Sequence, residues 1–546
     1  MNPKKIILQF CFSLMTLTIY PQTYLPGAGT MDRFTVFDFS QYWLTATDTQ
    51  VFYTSPDMSI RGWQKWDRDG THPVDYDFSI VSGYHKRNIP FIGGMTITVY
   101  FFDEAADSAQ FKDMVTRDAS GNVIPRNIVG YNNYRANIAS PAHRDYIVSI
   151  AKIQIDGGVD GLCFDEVLSG YDGATYNGNE GFDDYTIRDF NVYLAAKYPD
   201  YTKTDWINKF GMSESNYINT AQPLDDLNKN FNYREYLGIH GWQTNPLISS
   251  NPLAVEWGRV TDNRADTRSN TFLAKYTMLY WQDIVSRVRQ YARDTYGKEI
   301  LISSNGVFPY VDFNELGMYE FNHDDNGAEA SYVPVLSGHL NGSVSLQNLF
   351  KSLYQRNSEI AGEVPLVLFI DWPTNIMNDY YNLPRNEKED YWKIYAAEAY
   401  ANGLFMAFHL RTAMPSDPTA TSQGMLDFFK NYHVFYRENA SLFHHNQIID
   451  RPLKVSESGI NASLIYHPDA SRYTIHLVNH NYIPGKGMIK KEGFTVLFHS
   501  DSVPDLVYVK SPDFPGKQII NSTYSNGIFK ITVDSLHYYD IIVLDY

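Results

Sequence analysis

The sequence is poor in cysteine and in basic residues. Its 546 residues include two cysteines, too few to build a disulfide-stabilised scaffold. There are 45 Lys and Arg residues against 62 Asp and Glu residues, which gives a formal net charge of −17. A protein that binds nucleic acid needs a basic surface to neutralise phosphates, so we expect no nucleic-acid partner.

Long uncharged runs are also lacking, with one exception at the amino terminus. Lys4 and Lys5 precede an apolar run over residues 6–20. A basic start, an apolar run of about 15 residues and then a break are typical of a secretory signal peptide. Such a run rises only about 22 Å as a helix, less than the roughly 30 Å of a bilayer core. We predict a signal peptide over 1–22, with an uncleaved anchor as the alternative.

The predicted signal peptide has consequences for location. We expect an exported bacterial protein, periplasmic or extracellular, without a membrane span in the mature chain. Export without a disulfide framework fits a bacterial enzyme better than an animal extracellular domain. The sequence does not indicate an oligomeric state.

Aromatic side chains, by contrast, are abundant. Trp, Tyr and Phe make up 15% of the chain, and apolar residues make up 44%. The chain is therefore too apolar to be disordered. Its length predicts more than one domain, or one large barrel with an accessory module.

Between residue 30 and about residue 410, short β-rich runs alternate with helical patterns. Eight such units predict an α/β fold, a parallel (β/α)₈ TIM barrel. The clearest helical stretches are 141–156, 271–295 and 387–401. We predict the strands at 34–39, 89–98, about 130–138, 160–165, 299–304, 317–322, 365–371 and 404–410.

The composition changes along the chain and predicts its division. We place the barrel at 23–423, with an insertion at 168–270 that is too long for an ordinary connection. A helical connection follows at 424–444. From 445 to 546, short alternating runs are separated by Gly, Pro, Asn and Asp, which predicts a small antiparallel β-sandwich.

Asp165 ends the most informative strand. Functional residues of such barrels lie at the carboxyl ends of the strands. Because side chains alternate along a strand, Cys163 and Asp165 should face the barrel interior, whereas Leu162 and Phe164 should face the outer helices. We read Cys163 as a small buried residue and not as a nucleophile. Asp165 could also have a purely structural role, capping a loop or pairing with an arginine.

Acid–base cleavage of a glycosidic bond needs a second carboxyl group. Glu320, at the end of the sixth predicted strand, is the preferred partner of Asp165, although it could instead pair with Arg411. Glu166 and Asp371 are the substitutes. We rank Glu315 below Glu320 because it lies nearer the start of the predicted strand.

Further polar and aromatic residues lie in predicted loops or at strand ends. Carboxylates and amides bind sugar hydroxyls, and aromatic rings stack on sugar rings. Most of the aromatic residues can equally be core or surface residues. The predicted substrate-binding residues are Asp38, Trp43, Tyr171, Asn305, Asn322, Asp371, Trp372, His409 and Arg411.

We expect no cofactor and no catalytic metal. Asp38, His323, Asp371 and His409 could form a metal site of the kind found in barrel hydrolases, but no close histidine pair supports one. The loop 170–184 is rich in Gly, Asp and Asn and could hold a structural Ca²⁺, although its spacing does not match the EF-hand.

Three segments resemble a known kind of enzyme. Residues 158–166, Gly-Val-Asp-Gly-Leu-Cys-Phe-Asp-Glu, resemble the fourth-strand motif of TIM-barrel glycoside hydrolases. Residues 139–146 resemble the segment that leads into that strand. Residues 473–480 are similar to the accessory β-domain of several such enzymes, including dextranase-like family 66 and family 42-like galactosidases.

The resemblance implies a glycoside hydrolase with Asp165 in the position of the nucleophilic or charge-stabilising acid. Glu320 then lies where a later strand would supply the acid/base. The Asp165-Glu166 doublet departs from families with a lone Asp, so Glu166 could itself be the acid. We therefore predict a secreted hydrolase that cleaves a polysaccharide or oligosaccharide with two carboxyl groups. The alternatives are a non-catalytic carbohydrate-binding barrel and a metal-dependent barrel hydrolase.

Overall fold

The computed structural model describes most of the chain after the amino-terminal segment. The described residues are 31–39, 52–62, 78–97, 99–101, 105, 107–125, 133–165, 180–258, 271–317, 343–369, 384–408, 423–449, 451–483 and 485–546. These residues form two parts: a parallel barrel and, after it, antiparallel sheets.

Eight parallel strands form the barrel, which confirms the predicted (β/α)₈ fold. Consecutive strands are neighbours, and the first pairs with the eighth. Between the second and third strands the barrel closes through two hydrogen bonds, Ser59 N to Pro90 O at 3.0 Å and Gly62 N to Ile92 O at 2.8 Å. The strands are Val36–Phe39, Met58–Ile60, Ile92–Thr96, Gly161–Asp165, Leu301–Asn305, Phe313–Gly317, Leu366–Phe369 and Phe405–Phe408.

The predicted strands differ from the structure in three places. The second barrel strand, Met58–Ile60, was not predicted, because three residues are too few to show a pattern. The predicted strand at 130–138 is not part of the barrel. Asn133–Arg135 pairs antiparallel with Val99–Phe101 in a separate two-stranded sheet. The sixth strand, predicted at 317–322, is Phe313–Gly317.

Helices surround the barrel. The first of the long ones, Pro141–Asp156, has the predicted bounds for local reasons. Ser140 caps its amino terminus by accepting a hydrogen bond from the His143 amide, and Pro141 occupies the first turn. The helices are Val81–His85, Ser108–Met114, Pro141–Asp156, Asp184–Lys197, Lys203–Phe210, Tyr233–His240, Ala254–Trp257, Phe272–Tyr296, Ser343–Ala361, Arg385–Ala401 and Gln423–Glu438. Among these described helices, none is long and apolar enough to cross a bilayer.

The described part of the chain between the fourth and fifth barrel strands contains four helices besides the barrel helix Phe272–Tyr296, and aromatic rings pack at their centre. Trp257 stacks on Phe182 at 5.0 Å between ring centroids and meets the edge of Phe190 at 4.9 Å. Phe272, at the start of the next barrel helix, lies 5.2 Å from Trp257. Part of the aromatic excess therefore stabilises this segment as a hydrophobic core.

After the barrel, two antiparallel sheets face each other, which confirms the predicted β-sandwich. Their inner faces share a core that includes Ile475, Val496, Ile531 and Ile542. The larger sheet has the order Gln447–Ile448, Ile460–His467, Arg472–Asn479, Tyr539–Asp545, Leu506–Ser511 and Phe514–Ile519. The smaller has the order Lys454–Val455, Lys491–His499, Ile528–Leu536 and Ser522–Ser525, and Tyr482–Ile483 pairs with Gly487–Met488 in a hairpin.

A buried polar cluster joins the sheets to the barrel's last helix. The Nε2 atom of His480, which follows a sheet strand, lies 2.6 Å from Oε2 of Glu398 on helix Arg385–Ala401. Both side chains are completely buried. Asn461 and Asn402 donate hydrogen bonds of 3.1 and 2.9 Å to the two oxygens of Glu398. The Glu398 carboxyl group thus has hydrogen-bond partners both from the barrel and from the carboxyl-terminal sheets.

Candidate active site

Asp165 lies at the carboxyl end of the fourth barrel strand with two described polar neighbours. Asn305, the last residue of the fifth strand, donates a hydrogen bond of 2.9 Å to its Oδ1. Nη2 of Arg61 lies 3.1 Å from the same oxygen. All three residues are at least nine-tenths buried. The Asp165 carboxylate is therefore fixed in position, and its charge is compensated by a guanidinium.

The strand places its side chains as the alternation predicts. Cys163 contacts Glu315 across the barrel interior, on the same face as Asp165. Phe164 points outward and meets the edge of Trp281, on the helix Phe272–Tyr296, at 5.2 Å. The inward and outward faces of this strand are thus confirmed.

Arg61 follows the second strand directly, and its backbone geometry is unusual. Its φ angle is +54°, in the left-handed region that non-glycine residues seldom occupy. The guanidinium carbon lies 4.6 Å from the centre of the Phe369 ring, so the cation stacks on an aromatic face. A strained backbone that directs a buried cation at two carboxyl groups is typical of a functional site.

Glu315 lies deeper in the barrel, on the sixth strand, and is completely buried. Ser303 donates a hydrogen bond of 2.6 Å to Oε1, and the Cys163 thiol lies 3.5 Å from Oε2. Arg61 also reaches it, with Nη1 3.9 Å from Oε2. Burial raises the pKa of Glu315 to about 7, although the Arg61 charge and the Ser303 hydrogen bond act in the opposite direction.

Arg61, Asp165 and Glu315 therefore form one buried cluster, in which a single cation faces two carboxyl groups. Glu315 has no exposed surface. With a pKa of about 7, it can hold a proton next to the ionised pair. Burial raises the pKa of the Cys163 thiol as well, which agrees with a small buried residue and not with a nucleophile.

The first acid of the fourth-strand segment has a different position. Asp160 lies at the amino-terminal end of the strand, where its Oδ2 accepts a hydrogen bond of 2.9 Å from the Phe91 amide. Nε2 of His85 lies 2.7 Å from the same oxygen. Asp160 thus ties the third strand and the helix Val81–His85 to the fourth strand, at the end opposite Asp165.

The structure describes only some of the predicted site residues. Asp38 is completely buried, with the Ser59 hydroxyl 3.4 Å from its Oδ2, and its role in substrate binding stays a prediction. Asn305 contacts Asp165, as described above. Outside the described residues lie Glu166, Glu320, Trp43, Tyr171, Asn322, Asp371, Trp372, His409 and Arg411.

No metal-binding group is evident in the part of the chain that the structure describes. There, no three His, Cys, Asp or Glu side chains are arranged to hold a metal ion. Of the loop 170–184, where we considered calcium, only residues 180–184 are described.

Arg61 is the functional candidate that sequence reasoning missed. A polar residue directly after a short apolar run was the criterion that selected Asp165, and Arg61 meets it after Met58–Ile60. The run was too short to be recognised as a strand. Glu315 was ranked low because the sixth strand was placed too far along the chain.

Comparison with known proteins supports the fold. No protein-family model matches the chain, and no curated protein matches it significantly. The structure of a Paenibacillus cycloisomaltooligosaccharide glucanotransferase, complexed with cycloisomaltoheptaose, is similar at a TM-score of 0.55 and 9% identity, covering 94% of this chain and 85% of that chain.

Two further solved structures are similar at lower scores. A maltogenic α-amylase of Thermotoga neapolitana has a TM-score of 0.49 and 10% identity, covering 94% of this chain and all of that chain. A trehalose-6-phosphate hydrolase of Bacillus licheniformis has a TM-score of 0.48, 9% identity and the same coverage. The glucanotransferase shares the fold, and membership of a family 66-like or family 42-like group stays a prediction.

Proposed function

We propose that this protein is an exported glycoside hydrolase that cleaves a polysaccharide or oligosaccharide. One observation carries the proposal: a buried carboxylate, Asp165, lies at the carboxyl end of the fourth barrel strand, held by Asn305 and compensated by Arg61. Chemistry in this fold belongs at that end of the strands. The glucanotransferase with the same fold was solved in complex with cycloisomaltoheptaose, which adds support by analogy.

In the proposed mechanism, Asp165 acts at the anomeric carbon, as nucleophile or as stabiliser of the positive charge that develops there. Asn305 and Arg61 both contact Oδ1 of this carboxylate. Arg61 and Asn305 orient the carboxylate, so that little reorganisation is needed when charge develops. Both are positioning residues.

Glycosidic cleavage also needs a group that protonates the leaving oxygen. We assign this role to Glu320, with Glu166 and Asp371 as substitutes. We do not assign it to Glu315, which is completely buried and contacts Ser303 and Cys163 in the barrel interior. Its part is to keep the interior cluster near neutrality by holding a proton.

The test is hydrolysis of a panel of soluble polysaccharides by the purified mature protein and its variants. Asp165→Asn keeps the shape of the side chain and should lower kcat by about a thousandfold or more, as the loss of a central catalytic group does. Asp145→Asn is the matched control, because Asp145 is an exposed acid on the preceding helix.

Three outcomes are informative. Cleavage by the wild type and by Asp145→Asn, but not by Asp165→Asn, supports the proposal. Near-full activity of Asp165→Asn would exclude the assigned role. A wild type that binds a polysaccharide and cleaves none would favour a carbohydrate-binding barrel instead.

A further inference from the structure

A cavity lies at the opposite end of the barrel from Asp165. Its volume is about 490 Å³. Pro365 and Gly403, which line it, come just before the seventh and eighth strands, so the cavity opens at their amino-terminal ends. The other wall of the cavity is formed by residues 443–448 and 468–469. These two segments lead into and through the carboxyl-terminal sheets.

The floor of this cavity is held by fixed contacts. The His444 ring stacks on Phe405 with 4.8 Å between centroids. Its Nε2 lies 3.0 Å from the Phe34 carbonyl oxygen, so that nitrogen donates. Burial lowers the pKa of His444 to about 4, which keeps the ring neutral at neutral pH. The Tyr354 hydroxyl donates to the Asn446 carbonyl at 2.9 Å.

Gly403 shows how closely the wall is packed. Its φ angle is +75°, and a Cβ atom there would lie 2.7 Å from the Tyr354 ring. Any larger residue would therefore clash with Tyr354, which also lines the cavity. Glycine is suited to this turn because it adopts a positive φ angle without strain.

The rim of the cavity is polar. Ser358, Gln447 and Asp469 are exposed, and their side chains make no hydrogen bond to other described residues. Glu363 is a second acid at the rim. None of the described lining residues is Lys or Arg, and the exposed His445 lies 3.3 Å from Asp32.

This chemistry selects a class of ligand. Two carboxylates repel phosphorylated or uronic ligands, whereas hydroxyl, amide and carboxylate groups around an aromatic floor suit an uncharged polyhydroxyl compound. The volume lies within the range of about 300–1,000 Å³ that small-molecule sites occupy.

We propose that this cavity binds a neutral sugar segment of a polysaccharide, as a second and non-catalytic contact with the polymer. The identity of the ligand rests on the proposed function. A long chain held at the cavity raises the local concentration of its other segments at the barrel mouth, whereas a short oligosaccharide cannot reach both places.

The experiment is native gel electrophoresis of the full mature chain through gels that contain soluble starch, dextran, xylan or mixed-linkage β-glucan. Ser358→Trp fills the rim of the cavity. Ser352→Trp is the matched control, since Ser352 is exposed on the same helix and does not line the cavity. Thermal unfolding of both variants checks that they fold.

We expect Ser358→Trp to raise the dissociation constant for the retarding polymer about tenfold or more, with Ser352→Trp unchanged. A second variant, Asp469→Ala, should act in the same direction without added bulk. Equal retardation of wild type and Ser358→Trp, or no retardation of the wild type in any gel, would overturn the inference.

Kinetics separates this inference from the proposed hydrolase activity. Ser358→Trp should raise KM for the polymer and leave kcat and KM for a short oligosaccharide unchanged. If the protein hydrolyses no polysaccharide, and Ser358→Trp is still retarded less than the wild type, the sugar-binding proposal stands and the hydrolase proposal fails. If the protein hydrolyses a polysaccharide, and its retardation does not depend on Ser358, the hydrolase proposal stands and the sugar-binding proposal fails.

Discussion

Nη2 of Arg61, which follows the second barrel strand, lies 3.1 Å from Oδ1 of Asp165, which ends the fourth. The same guanidinium lies 3.9 Å from Glu315, on the sixth strand. One cation therefore contacts carboxyl groups from two strands in the barrel interior. Its two carboxyl partners differ in surroundings: Asp165 reaches the strand end, whereas Glu315 is enclosed among Ser303 and Cys163.

Arg61→Lys should lower kcat strongly and leave KM almost unchanged. A lysine ammonium is a compact point charge, so it cannot face both carboxyl groups and stack on Phe369 as the planar guanidinium does. We expect a loss of about a hundredfold, the scale reported for misplacement of a catalytic group. Steady-state kinetics on the substrate found in the screen measures it.

Arg87→Lys is the control, because Arg87 is an exposed arginine that also stacks on an aromatic ring, that of Phe52. It should retain wild-type kcat. Equal kinetics for Arg61→Lys and the wild type would show that Arg61 does not position Asp165.

Glu315→Gln should change how stability depends on pH. The folded protein holds the Glu315 proton up to a pKa of about 7, whereas an unfolded chain releases it near the ordinary value of 4.5. Between those values the folded state binds more protons, so the free energy of unfolding falls as pH rises. Glutamine cannot titrate, so the variant should gain stability relative to the wild type between pH 5 and pH 8.

Urea unfolding at both pH values measures this difference. Glu299→Gln serves as the control, because Glu299 is exposed. If the free energies of unfolding of the wild type and Glu315→Gln differ by the same amount at pH 5 and pH 8, the raised pKa of Glu315 is contradicted.

Asp160→Ala should reduce stability without reducing the activity of the folded enzyme. The change removes the acceptor of the Phe91 amide and of His85 at the end of the strand away from Asp165. Leaving buried donors without a partner costs about 3 kcal/mol. Asp165→Asn should abolish activity and should also lower the melting temperature, because it removes a charge partner of the buried Arg61. If both variants lost activity alike, the two ends of the strand would not have separate roles.

Acid should destabilise the protein through its buried histidines. His433 packs against Phe408 and Phe429, and within the described chain neither of its ring nitrogens has a hydrogen-bond partner. Burial, with a smaller effect of Arg437, lowers its pKa to about 3. The unfolded chain binds a proton near pH 6.5, so the contribution of His433 to stability is lost as pH falls below that value.

His433→Leu should therefore lose less stability than the wild type between pH 6.5 and pH 4.5. Melting temperatures across this range provide the measurement. His445→Leu is the control, because His445 is exposed. A parallel fall in the wild type and His433→Leu would exclude His433 as a source of acid sensitivity.

Local signals predicted part of this structure well. The helix Pro141–Asp156 has its cap and its proline in the sequence, and the strand Gly161–Asp165 alternates small inward with large outward residues. Such signals depend only on neighbours along the chain. The position of Asp165 at the barrel's carboxyl end could therefore be predicted without the structure.

The sixth strand was misplaced for a physical reason. Phe313–Gly317 carries Asn314 and Glu315, polar residues that hydropathy assigns to loops. In the barrel, Asn314 accepts a hydrogen bond of 3.0 Å from Ser304 and donates one to Asn357. Partners that lie far apart in sequence make these polar side chains compatible with a buried strand. The contact of Arg61 with Asp165 is of the same kind.

The contact between Glu398 and His480 bears on how the chain unfolds. Both side chains are fully buried, and each belongs to a different layer of the molecule. Detaching the sheets would break this contact and expose Tyr539, Ile541 and Val543, which share one apolar core with the barrel, and exposed apolar surface costs about 25 cal/mol per Å². A truncated chain ending before the sheets should thus be insoluble, and the intact protein should melt in one cooperative transition.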